Sequence, residues 1–287
     1  MKQFKALVLK EWRTHWGVLL TPAWLTAGVL LVTLIGFIIA WANGLPVMGG
    51  NTEQYMKMAG EYRSLILWAA NVFGATMLSF AAFLALISLP DLLLNSGYKR
   101  KCEIFHLSQP VGMSKILLSK YSFMVLGTYL QIVIIALVFG TLVSLYVNSF
   151  VGGDFGLVYN GLALGLIGRF LPLLFTASLA WFFAALNKKN YLLMAIVIFA
   201  GVEIGVRLIN FQVGTHIPSI NAYVAKLGGM NIHVGTNPMA GLTGNNTMEM
   251  ISQAWRSIFD SYTWQRILWA IVLYLGGSWL YQRREIS

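Results

Sequence analysis

Three stretches of this chain, Thr14 to Thr52, Ser64 to Pro90 and Tyr121 to Gly153, contain no charged side chain. Each is longer than the ~20 apolar residues that cross the hydrocarbon core of a bilayer, and no water-soluble surface can be made from them. Only 10% of the 287 residues are charged and 57% are hydrophobic, against roughly a quarter charged in a soluble domain. A helix satisfies its backbone polar groups within itself, which lipid requires. The expected fold is therefore an all-α, polytopic membrane protein with a single transmembrane domain over residues 1–287.

Six spans are the economical partition, at about 21–43, 65–90, 115–146, 160–186, 190–210 and 264–282. The third is the longest and is expected to project beyond the bilayer. In the sixth, only Ile267 to Gln282 is free of charge, but Trp264, Trp269, Trp279 and Tyr281 near its ends suit interfacial belts. Residues 1–20 read as a cytosolic interfacial helix, because Phe4, Val8, Trp12 and Trp16 recur every four residues, with Lys5 snorkelling out of the stripe. The hydrophobic run after it is too long for a signal peptide and is expected to remain as the first span. Residues 44–64 and 147–159 carry Gly and Asn clusters of the loop type. Residues 211–263 form a longer external loop with a short helix: Met248, Ile251, Trp255, Ile258 and Tyr262 follow helical spacing behind Asn246 or Thr247 as N-cap. That helix is expected against the outer leaflet or a partner subunit.

The formal charge of +10 is mostly a topology signal. With the N-terminus in the cytosol, Lys2, Lys5, Lys10 and Arg13 lie inside, as do Lys99, Arg100, Lys101, Lys115 and Lys120 between spans two and three. Lys188 and Lys189 join them after span four, and Arg283 and Arg284 after span six. Only Lys57, Arg63, Lys226, Arg256 and Arg266 fall outside. This asymmetry follows the positive-inside rule and puts both termini in the cytosol. No basic patch is interleaved with aromatics, so nucleic acid is not an expected partner; membrane lipid is. The single cysteine, Cys102, excludes an internal disulfide, and the four histidines show no metal-ligand spacing.

The cytosolic connection 91–114 holds the most informative run, Lys99-Arg100-Lys101-Cys102-Glu103-Ile104-Phe105-His106-Leu107-Ser108-Gln109-Pro110. Its first part can form a short amphipathic helix that Pro110 stops. Here the chain resembles the ABC-2-type permeases, whose second cytosolic connection has a charged stretch, Glu, an apolar pair, a small polar residue, Pro-Val and a Lys-bearing lead-in to the third span. Glu103, Leu107, Ser108, Gln109, Pro110, Val111, Lys115, Leu117 and Lys120 stand where that pattern would put them. The resemblance extends to the layout of interfacial helix, six spans and long outer loop. It implies a bacterial cytoplasmic membrane protein in which two permease chains, identical or related, form an export pathway. Two separate cytosolic ATPase chains, carrying the ATP and Mg, would push on a coupling helix at Lys99 to Leu107, with Ser108, Gln109 and Pro110 ending it. The chain itself has no G-x-x-x-x-G-K-[ST] and no Gly-Lys dipeptide, so it binds no cofactor by that motif and is not expected to be an enzyme. The cargo stays open among lipid-like compounds, peptides, drugs and polysaccharides.

Within the spans, Arg169, Glu203 and Arg207 are costly, because an ionised side chain at the bilayer centre costs at least ~2.5–3.5 kcal/mol. They are expected to form a salt-bridged cluster between spans four and five, with substrate contact as the other role. Glu203 is also the deep carboxylate an ion-coupled secondary transporter would need. Glu203 with Arg207 looks like half of the E-E-x-x-x-R signature of CAAX-type intramembrane proteases, but Val202 replaces the first Glu. The Phe211, His216 and Asn221 spacings are each one residue too long for that site, and one residue turns a helical side chain by ~100°.

Overall fold

The computed structural model describes residues 2–20, 23–24, 27–28, 35, 39, 52–99, 112–151, 155–187, 190–214, 216–229 and 247–286. Every regular element among them is a helix. In chain order these are α1 (Lys2–Leu19), α2 (Thr52–Lys99), α3 (Met113–Val151), α4 (Phe155–Leu186), α5 (Tyr191–Val213), α6 (Ile220–Gly228), α7 (Thr247–Ile258) and α8 (Tyr262–Ile286).

Four stretches among the described residues are long and apolar enough to cross a membrane: Gly74–Asn95 in α2, Met113–Val138 in α3, Gly156–Leu186 in α4 and Tyr191–Val213 in α5. They match spans two to five of the sequence partition, and the protein is an all-helical membrane protein. Most of the expected first span, 21–43, lies outside the described residues. The expected sixth span is helical within α8, but its composition keeps it out of those four. Among the four stretches the longest is Gly156–Leu186 in α4 (31 residues), not Met113–Val138 of the third span (26 residues). The loop expected at 44–64 gives way to helix from Thr52. Gly and Asn clusters misled there, because Glu53, Gln54, Met56, Lys57, Met58 and Ala59 are all good helix formers.

The fold is organised around α4. Both α2 and α8 run along it, α3 packs on α2 and α4, and α5, α6 and α7 all touch it. The approach of α4 to α2 depends on missing side chains: a Cβ on Gly161 would lie 2.6 Å from the Trp68 carbonyl oxygen, and one on Gly165 would lie 2.6 Å from Ala75 Cβ. In a membrane, where apolar side chains gain little by leaving lipid, such close backbone packing supplies much of the helix association. Further along α4, Trp181 is fully buried between α3 and α8, edge-on to Tyr121 and donating its Nε1–H to Ser278 Oγ at 3.3 Å. The Gly201 and Gly205 pair on α5 touches nothing within 4 Å.

On α1 the face turned to the bundle carries Phe4, Leu7, Val8, Glu11 and His15, while Trp12, in ring contact with Phe123, is 39% exposed and Trp16 is 56% exposed. Buried Glu11 pairs with His15 and lies in the field of Lys120 on α3. The predicted helix after residue 246 is present as α7, but its apolar face closes on its own chain. Ile251, Ala254 and Ile258 are buried with Trp68 and Val72 of α2 and Leu164 of α4, and Asn160 Oδ1 accepts from both Trp68 Nε1 (3.2 Å) and Trp255 Nε1 (3.1 Å).

Candidate functional site

Lys99 closes α2, while Arg100, Lys101, Glu103, Ile104, Phe105, His106, Leu107, Ser108, Gln109 and Pro110 lie outside the described residues. The flanks of that stretch are described, and they are held by polar side chains from several helices. Lys120 Nζ of α3 donates to the Leu93 carbonyl of α2, and Tyr281 Oη of α8 donates to the next carbonyl, Leu94, at 3.2 Å. Asn95 Nδ2 donates to Asp91 Oδ1 at 2.8 Å, and its Oδ1 accepts from Arg284 Nη2 at 3.4 Å. Arg284 Nη1 also donates to the Ala185 carbonyl at the end of α4 (2.7 Å), and Gln282 Nε2 donates to Ser114 Oγ at the start of α3 (3.3 Å). Tyr191 Oη at the start of α5 donates to the Ile87 carbonyl. Carbonyls in the C-terminal turns of a helix have no intrahelical partner; at the end of α4 that of Ala185 is taken by the Arg284 cation, which also suits the helix dipole, and that of Ala184 accepts from Asn95 Nδ2. Pro90 frees the carbonyl of Leu86 in the same part of α2.

Beneath this knot Glu11 sits 7% exposed on α1. Burial alone would raise its pKa, but His15, with Nδ1 3.2 Å from Glu11 Oε2, and the charges of Lys120 and Lys10 outweigh that and hold it below the ordinary carboxylate value.

The chain leaving α5 folds back along it. Gly214 ends the helix in the left-handed conformation (φ 67°), which glycine adopts without steric cost, and its N–H bonds the Asn210 carbonyl. Asn210 then pairs with the returning backbone, donating to Ile217 O and accepting from Ile217 N, both at 2.9 Å. Ser219 accepts from Ala222 N as the N-cap of α6 and donates from Oγ to Glu203 Oε2 at 2.8 Å. Glu203 lies about 15 Å back from the end of α5 at 1.5 Å per residue, so α6 begins well inside the helical layer. Non-helical backbone at such depth needs internal partners, and Asn210 supplies them.

Of the expected charge cluster, the structure brings Glu203 and Arg207 together, with Arg207 Nε 3.2 Å from Glu203 Oε1. It does not bring Arg169 to them. α6 touches both α4 and α5, and the two long helices meet instead where Phe183 and Phe199 pack with ring centroids 5.6 Å apart. The Arg169 side chain looks into the space between α2, α4, α5 and α6. The second ion pair of this region was not foreseen. Arg266 of α8, only 3% exposed, bonds Asp260 at 3.1 Å and donates to the carbonyls of Leu227 (3.0 Å), Lys226 (3.2 Å) and Gly229 (3.1 Å) at the end of α6. Sequence signals for both partners existed. Pro218-Ser219 ahead of Ile220, Tyr223, Val224 and Leu227 is a helix start with an apolar stripe, and Asp260 before Tyr262 is an N-cap.

The space facing Arg169 is a cleft of about 550 Å³. Its walls are Phe83 and Ile87 of α2, Phe175, Leu179 and Phe183 of α4, Phe199 of α5 and Val224 of α6. Among the described residues no group of three His, Cys, Asp or Glu side chains could hold a metal ion. Compared with protein-family models, curated proteins and solved structures, the chain matches none of them.

Proposed function

We propose that this protein is the membrane-spanning permease subunit of an ATP-driven ABC-2-type exporter of a bacterial cytoplasmic membrane, with six spans and both termini cytosolic. Two copies, or this chain and a related one, form the pathway within membrane lipid. Two cytosolic ATPase chains carrying ATP and Mg supply the work, so the chain itself is not an enzyme. The cargo belongs to the lipid-like, peptide, drug or polysaccharide classes.

One observation carries the reading: both flanks of the 100–111 connection are tied to α4 and α8 by side-chain bonds at a single end of the bundle. ATP binding can shift a membrane pathway only through contacts that differ between its two states. A push on Lys99 to Leu107 reaches α2, α3, α4 and α8 together only if the segment's ends are fixed to them, and Lys120, Asn95, Tyr281 and Arg284 do that. The positive-inside charge distribution supports the same end being cytosolic. An ion-coupled secondary transporter would need Glu203 to exchange its ion freely, whereas its carboxylate is held by Arg207 and Ser219.

The test is co-purification of the tagged chain with an ATPase encoded beside it, followed by transport in vesicles. Glu103→Ala and Phe105→Ala should insert normally and lose at least about tenfold in ATP-dependent transport, the loss expected when about 1.4 kcal/mol of contact is removed. Cys102, the only thiol, should react with a membrane-impermeant maleimide from the cytosolic side. Labelling of Cys102 from outside, or full transport without any ATPase, sinks the proposal.

A further inference from the structure

We infer that the cleft between α2, α4, α5 and α6 is a binding site for one anionic phospholipid, with the phosphate on Arg169 and an acyl chain along α4. The inference does not depend on what drives transport.

The cleft has one uncommitted set of side-chain donors among its described residues. Thr76, Ser79 and Thr176 each give their hydroxyl proton to a backbone carbonyl one turn earlier, of Val72, Ala75 and Pro172. Tyr191 gives its own to Ile87. Arg169 Nε is buried with no hydrogen-bond partner, and the ion pairs of the neighbourhood go to Arg207 and Arg266. The charge of Arg266 acts on Arg169 from nearby and makes an unpaired guanidinium there more costly still. A guanidinium in an apolar wall is stable only against an anion, and its planar fork matches phosphate oxygens.

Among the described residues the carboxylates of this region are committed: Glu203 to Arg207, Asp260 to Arg266 and Asp91 to Asn95. Residue Glu61 lies fifteen residues from Thr76 along α2, about 22 Å at helical rise. A ligand can bring the missing counter-charge.

The rest of the cleft states what that ligand is attached to. From Arg169 to Phe183 along α4 is about 21 Å, enough for one acyl chain, two of which end to end fill a ~30 Å hydrocarbon core. The wall over that length is Pro172, Phe175, Leu179 and Phe183, with Phe83 and Phe199 opposite. A volume of about 550 Å³ lies within the roughly 300–1,000 Å³ of pockets that enclose small ligands, which suits one chain and not a protein segment. Leu192 on the rim is 48% exposed and α5 buries only Tyr191, so a lipid can enter sideways past α5.

The full chain in nanodiscs of phosphatidylcholine tests this, with trace phosphatidylglycerol or phosphatidylcholine carrying a photoreactive acyl chain. The phosphatidylglycerol probe should label peptides holding Phe83 and Phe199 about tenfold or more over the phosphatidylcholine probe, as one charge-assisted hydrogen-bonded pair provides. Arg169→Gln should bring the two probes level, Arg169→Lys should keep most of the preference, and Ala195→Trp should block labelling by filling the cleft. If Arg169→Gln fails to fold, the Lys and Trp variants decide. Equal labelling by both probes in the wild type, a preference that survives Arg169→Gln, or labelling undiminished by Ala195→Trp overturns the inference. So does displacement by millimolar inorganic phosphate, which would mean a free-anion site. Disulfide-linked dimers of Leu192→Cys in a Cys102→Ser background would show a second copy over the cleft, which likewise overturns it.

Discussion

The inner end of the bundle and the α5–α6 side are built on opposite plans. At the inner end, α2, α3, α4 and α8 are cross-tied by Lys120, Asn95, Tyr281 and Arg284 over a packed core that includes Leu89, Leu93 and Leu94. On the other side α5 has a single buried residue, and its foldback is fastened by a few polar pairs. Regions with few buried contacts open at low free energy, and those are the ones that can move or admit ligands. The contrast gives the molecule a stiff end, where force can enter, and a soft flank, where a guest can.

The largest effect should come from the buried cation that ties the end of α6 to α8. Arg266→Ala leaves Asp260 and three α6 carbonyls without their cation, and breaking such a buried pair costs about 3–5 kcal/mol. The purified variant should melt earlier, with hydrogen exchange accelerated over residues 216–229. Unchanged exchange there would mean that α6 is held by something other than Arg266. Next, Gly165→Val forces a side chain into Ala75 and Val72, an overpacking worth about 1–3 kcal/mol. It should lower the melting temperature while leaving the exchange of 216–229 alone, separating the α2–α4 contact from the flank.

Asn160→Ala removes the shared acceptor of Trp68 and Trp255. Its expected cost is about 1–3 kcal/mol, confined to α7 and read by exchange over 247–258. A smaller effect belongs to Glu11. Because its folded pKa is depressed, its contribution is complete above the ordinary value of 4.5 and is lost as pH falls through the lower folded value. Exchange protection of α1 should therefore drop in acid, and Glu11→Gln should flatten that part of the pH profile. Smallest of all, Gly201→Ala meets nothing within 4 Å and should change stability by less than about 1 kcal/mol, in the favourable direction. A clear loss instead would show a partner helix packed on that face.

Hydropathy located spans two to five, with ends off by up to nine residues, because an uninterrupted apolar run has a single stable form in lipid. The N-terminal helix and α7 were also legible, since helical spacing of apolar residues is a local property. What each stripe would touch was not. Trp12 and Trp16 stay exposed, while the face of α1 turned to the bundle buries Glu11 in the field of Lys120, from a helix about a hundred residues later. The candidate site divided in the same way. Glu203 and Arg207 pair because four residues on a helix are neighbours, a rule that needs no fold.

The sequence alone determined that this chain lives in a membrane as helices and which segments are too apolar for water, because transfer of such segments into lipid is decided by their own composition. Only the tertiary structure decided which cation is satisfied. Arg169 was the costly charge of the sequence and Arg266 an outside one, but α6 folds back so that the carbonyls at its end meet Arg266, while Arg169 is left facing the cleft. Charge pairing across helices depends on a few ångströms of position, and those are set by packing over the whole bundle.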